Sequence, residues 1–155
     1  MRLHYTPIPT EIANSYRSGQ PDAFSLTPER NAASSGRGTP CRHCLKQVPK
    51  GEPYLILAHR PFKTLNPYSE TGPIFLCAND CPAAAPDFPA AILTAPHHIV
   101  RGYSADERII YGTGAVVNSF DIPLYAADLF ARPDVAFIHI RSASNNCYLC
   151  RIDRV

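Results

Sequence analysis

Fourteen of the sixteen prolines in this chain lie at or before Pro96. Each removes a backbone donor and pushes the residue before it away from the helical region, so long helices are disfavoured throughout that part. The proline-rich first part, to about residue 96, should consist of short strands joined by ordered turns, and the rest can hold longer elements. At 155 residues the chain is the size of one domain and buries roughly 70% of the surface its unfolded form exposes. It needs neither a metal nor a disulfide merely to fold. We therefore expect a single α+β domain over residues 1–155, built mainly of short antiparallel strands.

Within that frame, residues 1–40 read as loop-rich. A short helix fits Thr10–Arg17, but Arg30–Pro40 lacks apolar periodicity and reads as a mobile loop. Pro53–Arg60 and Pro73–Ala78 are short apolar runs bounded by Pro and Gly, which favours buried strands. His97–Tyr103 and Arg108–Gly112 are weaker strand candidates, and Gly112-Thr-Gly114 reads as a turn. One helix is clear, over about residues 121–131. Asp121 can cap it, Pro123 sits in its first turn, and Ile122, Tyr125, Leu129 and Phe130 share a face until Arg132-Pro133.

A C-terminal β-hairpin should follow, with strands at about 135–141 and 147–154 around the turn formers Ser-Ala-Ser-Asn-Asn. A five-residue connection from Arg141 to Cys147 would set Ile140 opposite Tyr148, Ile138 opposite Cys150 and Ala136 opposite Ile152 on a core face. Phe137, His139 and Arg141 would lie opposite Arg151, Leu149 and Cys147 on a mixed face, turned to a cleft or to solvent.

The charge of +2, without runs of one sign, argues against nucleic acid or an anionic membrane as partner, leaving a small molecule or a protein. No stretch approaches the ~20 apolar residues of a membrane span. The first residues have no signal-like apolar run, so the expectation is a cytoplasmic protein. In a reducing compartment six cysteines read as metal ligands, reactive thiols or buried small hydrophobes rather than disulfides.

Two pairs carry the chemistry. Cys41-Arg-His-Cys44 has the spacing of a zinc knuckle, and Cys77-Ala-Asn-Asp-Cys81 has turn formers that can gather its two sulfurs. One strand hairpin between the pairs would return the chain to its start, so Cys41, Cys44, Cys77 and Cys81 can form a four-thiolate site for structural zinc. Against it stand the three-residue second spacing and the absence of the usual glycine after either pair. Reduced structural thiols and a redox pair remain open readings, although the Gly/Pro-rich approach to Cys41 lacks the strand-to-helix setting of a thioredoxin-type motif. Cys147 and Cys150, three apart in a strand, point to opposite faces and cannot chelate without a bulge. Cys150 belongs to the core and Cys147 to the mixed face.

A second group, His59 and Arg60 with His139 and Arg141, together with Arg151, can make an anion or carboxylate pocket. The alternative is surface arginines and a histidine bonded at a sheet edge. His97 and His98 would alternate across their strand and so make no paired ligand. The sequence holds no Gly-x-Ser-x-Gly, no His-Glu-x-x-His and no nucleotide fingerprint. It leaves open whether the protein is an enzyme, and no catalytic residue can be named.

Pro21-Asp-Ala, Pro28-Glu-Arg, Pro40-Cys-Arg-His-Cys-Leu45, Gly51-Glu52, His59-Arg-Pro-Phe62, Gly72-Pro-Ile-Phe75 with Cys81, Arg101-Gly-Tyr103, and Cys147 with Arg154 give the chain a family likeness. Over nearly its whole length it resembles the bacterial family called domain of unknown function 1203, which brings no assigned activity. In the pattern it resembles, histidine stands where this chain has Cys77, and no cysteine stands at Cys150. The resemblance thus implies metal binding over a structural disulfide if the two pairs act together, since histidine also ligates zinc.

Overall fold

The computed structural model describes residues 1–155. Two antiparallel sheets form it. The smaller is ordered β2-β3-β4, with β2 at Glu29–Asn31, β3 at Tyr54–His59 and β4 at Gly72–Cys77. The larger is ordered β1-β8-β7-β5-β6, with β1 at Leu3–Thr6, β5 at His97–Tyr103, β6 at Ala115–Asn118, β7 at Phe137–Ser142 and β8 at Tyr148–Arg154. Helix α1 covers Thr10–Arg17 and α2 covers Ile122–Phe130. The α+β class and the C-terminal hairpin agree with the sequence.

Each sheet has its own apolar core. Under the larger sheet, Val100, Ile138, Ile140 and Ile152 pack with Ile122, Ala126, Leu129 and Phe130, the inner face of α2. Under the smaller one, Leu55, Leu57, Ile74 and Leu76 pack with Ile8 and Ala13 and with three of the cysteines, Cys41, Cys44 and Cys77. The reason is strand alternation, which sends these β3 and β4 side chains to one side of the sheet. In β5, a Cβ at Gly102 would sit 3.2 Å from Thr113, whose Oγ1 accepts the Gly102 N–H at 2.9 Å.

Several elements differ from expectation. Asp121 makes no side-chain cap; a 3₁₀ turn over Ser119–Asp121 precedes α2, and Asn118 caps that turn by accepting the Phe120 N–H. Residues 108–112 form no strand, only a bridge from Ile109 to Tyr103, and Gly112 occupies a turn at φ 87°. The loop expected at Arg30–Pro40 begins inside β2 and is tied down by Ser34, whose buried hydroxyl donates to Val48 O at 2.9 Å and meets Thr39 Oγ1 at 2.7 Å.

The hairpin register is also shifted. Ser142 N–H donates to Cys147 O at 2.9 Å, so the connection is four residues, and Leu149 is skipped between the pairs Arg141–Tyr148 and Ile140–Cys150. The shorter turn and the skipped residue each move the register by one, and together they restore parity: Ile138 faces Ile152 on the core side. The bulge also exchanges two neighbours. Leu149 enters the core, while Tyr148 joins the mixed face. That face meets neither cleft nor solvent at its centre, since Phe137, His139 and Arg141 are all buried.

Candidate metal centre

The β3–β4 hairpin carries the chain from the first cysteine pair to the second. Cys41 forms a parallel bridge to Phe75 of β4, so Cys77, two residues further on, arrives beside it and its N–H donates to Cys41 Sγ at 3.3 Å. Cys44 is brought back by a tight turn in which Leu45 N–H donates to Cys41 O at 3.0 Å. Leu45 stands where a knuckle commonly has glycine and takes φ 51°. Left-handed backbone costs a side chain roughly 1–2 kcal/mol. Burying a leucine returns about 1.5–3 kcal/mol, and Leu45 is buried in the larger core. Packing thus holds a turn that the sequence alone argued against.

The four sulfurs of Cys41, Cys44, Cys77 and Cys81 lie within 4.8 Å of one another, and Cys41 Sγ is 3.9 Å from Cys81 Sγ. Such a cluster can hold a metal ion. All six cysteines are free thiols, and Cys147 and Cys150 stand outside the group. Even with the bulge at Leu149, Cys150 is in the core and Cys147 turns back to Asn145 O at 3.7 Å.

Proton sharing among the four thiols is strongly uneven. S–H donation from Cys44 and Cys77 lowers Cys41 below the ordinary thiol value. Donation from Cys41, Cys44 and Cys77 also lowers Cys81, which the His43 ring further favours as thiolate. Cys44 and Cys77, the donors, are raised. Other groups approach Cys81 from outside: His43 Nδ1 at 3.2 Å and Arg17 Nη2, donating at 3.0 Å. Arg17 Nε also donates to Cys77 O at 2.9 Å. These partners were not legible in the sequence. The Arg17 position at the end of α1 was the only trace, as the last turn of a helix favours a cation.

The knuckle is also a junction. Arg42 N–H donates to Phe75 O, Ile8 N–H donates to Arg42 O, and Ala84 N–H donates to His43 O. The Arg42 side chain donates to Tyr148 O in β8 at 2.7 Å and to Pro40 O at 2.6 Å. Burial lowers Arg42 to about 10, so it stays charged at neutral pH.

The second group divides. His59 and Arg60, at and just after the end of β3, line a cavity with Arg151, whereas His139 and Arg141 do not reach it. Tyr148 lies between the histidines, its ring 4.9 Å from that of His139 and 6.2 Å from that of His59. His139 is wholly buried among Phe62, Tyr103, Phe137 and Tyr148, with neither ring nitrogen bonded. Burial, then Arg141 and Arg151, drive its pKa well down, which keeps it neutral. Arg141 instead pairs with Glu70 at 2.9 Å, and Glu70 also binds Arg101 at 2.8 Å. Of the two other expectations for histidine, His97 is exposed and His98 is buried against Ser119 Oγ at 2.8 Å.

The proteins of unknown function grouped as DUF1203 match residues 38–154. The chain belongs to this family. The match spans both cysteine pairs and the hairpin between them, and it begins three residues before Cys41. No curated protein and no solved structure matches the chain. No helix in this DUF1203 protein is long and apolar enough to cross a membrane.

Proposed function

We propose that this protein is a zinc-stabilised structural or binding module in which Cys41, Cys44, Cys77 and Cys81 hold the ion. The observation that carries the reading is the sulfur geometry. A tetrahedral site with zinc–sulfur bonds of about 2.3 Å has sulfur–sulfur edges of about 3.8 Å, and the Cys41–Cys81 separation is 3.9 Å. Soft thiolates suit zinc, and four protein ligands leave no open position, which favours a structural over a catalytic ion. The ion would tie together the knuckle, β4 and the end of α1, and through Arg42 it would brace β8. Its partner would be a small molecule or a protein, and a site of four reduced thiolates suits the cytoplasm.

Metal analysis of protein purified without added zinc tests the reading. About one zinc per chain is expected, lost together with folding of the smaller sheet in Cys44→Ala. A strong chelator should lower stability greatly, because zinc-finger peptides gain on the order of 10 kcal/mol from their metal. Four freely titrating thiols with no bound metal would sink it, and a coloured protein containing iron would replace zinc with another ion at the same ligands.

A further inference from the structure

Between α1, the segment after β3 and strand β8 lies a cavity of about 620 Å³, within the range of small-molecule sites. Ile8, Ile12, Phe62 and Tyr148 give it apolar and aromatic walls, and Arg60, Lys63 and Arg151 bring positive charge. Two acids also line it, Glu107 and Asp153, but both are engaged within the protein. The Glu107 carboxylate accepts the N–H groups of Lys63 and Thr64 and the Thr64 hydroxyl at 2.7–3.0 Å. Asp153 accepts from Thr6 at 2.7 Å and from Arg151 at 2.8 Å.

The cations are not equally engaged. Arg60 and Lys63 enter none of the ion pairs, and Arg60 Nε is buried with no acceptor. That nitrogen is shut off from the cavity, but the terminal N–H groups of the same guanidinium are not among the buried atoms and enter no ion pair, which leaves them free for an oxygen that the chain does not supply. Beside it, His59 Nδ1 and Tyr16 Oη lie 3.2 Å apart and add neutral hydrogen-bonding capacity at the wall. An inorganic ion would use the guanidinium but leave most of the volume and the aromatic walls idle.

We propose that this cavity binds a small organic anion, its carboxylate or phosphate oxygens taken by Arg60 with Lys63 nearby, and its apolar or aromatic body packed against Ile12, Tyr16 and Phe62. This site is separate from the four cysteines and does not depend on the metal reading. His139 and Arg141 take no direct part in it.

The test titrates the full-length protein, as purified, with phenyl phosphate, phenylacetate and benzyl alcohol, by calorimetry and by thermal shift at low salt. At least one of the two anions should bind at a single saturable site. Arg60→Gln should weaken that binding about tenfold or more, as loss of a charge-assisted hydrogen bond does, and benzyl alcohol should not bind at the same concentrations. Which anion binds more tightly decides between a phosphate ester and a carboxylate. Absence of saturable binding by both anions, equal binding of benzyl alcohol, or unchanged affinity in Arg60→Gln overturns the proposal. Should Arg60→Gln not fold, Lys63→Gln decides: Lys63 is exposed, its loss spares the fold, and it must weaken the anion's binding several-fold at low salt.

Discussion

Nδ1 of His43 lies 3.2 Å from Sγ of Cys81. The other ring nitrogen is 2.9 Å from the Thr10 hydroxyl, so the ring is oriented from both sides. With Thr10 donating to Nε2, His43 presents its Nδ1–H to the sulfur. Groups that orient metal ligands in this way are commonly worth ten- to a hundredfold in metal affinity. His43→Phe should therefore keep one metal per chain but weaken it by roughly tenfold or more, measured by competition with a chromophoric chelator. Unchanged affinity would mean that His43 serves packing alone.

The remaining cysteine pair gives a control. Cys147→Ser should leave both metal content and melting temperature unchanged, since Cys147 is partly exposed and lies outside the four-sulfur cluster. Cys150→Ser should also leave metal content unchanged but destabilise the fold by about 1–3 kcal/mol, because it buries a hydroxyl in an apolar core. Metal analysis and urea unfolding of the two variants read both effects, and loss of metal in either would place the third pair in the site.

How far this could be read in advance follows from the range of the interactions. The hairpin joining the two cysteine pairs was legible because bounded apolar runs at 53–60 and 73–78 leave little else for the chain to do. Strand β1 was not, since Leu3–Thr6 has no pattern of its own and becomes a strand only by pairing with β8, the last element of the chain. The bulge at Leu149 was hidden because skipping one residue offsets a turn one residue shorter, and the core face comes out the same. Likewise the Cys41–Cys44 spacing spoke for a knuckle, while the approach of Arg17 and His43 to Cys81 needed the folded positions of α1 and β4. The expected pocket of His59, Arg60, His139 and Arg141 grouped residues by chemistry, and Tyr148, turned by the bulge, stands between its halves.

Acid should destabilise the protein through its buried histidines. Burial, then the cations Arg42 and Arg60, hold His59 at about 4 against an ordinary 6.5. His139 and His98 are lowered as well, each mainly by burial. Between pH 6.5 and 4 the unfolded chain takes up the His59 proton and the folded chain does not, so stability falls as pH falls through that window. For His59 the full loss is about 3 kcal/mol. His139→Leu removes one such group together with two unbonded buried nitrogens. It should match or exceed the wild type in stability at pH 7 and show a smaller fall on going to pH 4.5. Comparing the two proteins cancels the contribution of the cysteine cluster. A parallel pH dependence would mean that His139 is protonated in the fold.

Glu70 is the counter-charge for two arginines at once, Arg101 at 2.8 Å and Arg141 at 2.9 Å. Arg141 is only 4% exposed and Glu70 29%, so the pair is neither a free surface bridge nor fully dry. Removing one partner of a buried pair costs about 3–5 kcal/mol, whereas an exposed pair is worth about 0–1 kcal/mol. Glu70→Gln keeps one acceptor oxygen but sets an amide N–H against a guanidinium, so a loss of about 2 kcal/mol is expected, between those limits. Salt separates the two regimes, because it screens exposed charges and reaches buried ones weakly. Urea unfolding of wild type and variant at low and high salt should show nearly the same difference. A difference that vanishes at high salt would make the Glu70 bridge a surface feature, and Arg141 would then owe its place to Asn146, whose backbone and side-chain oxygens accept its Nε–H at 3.2 and 3.0 Å.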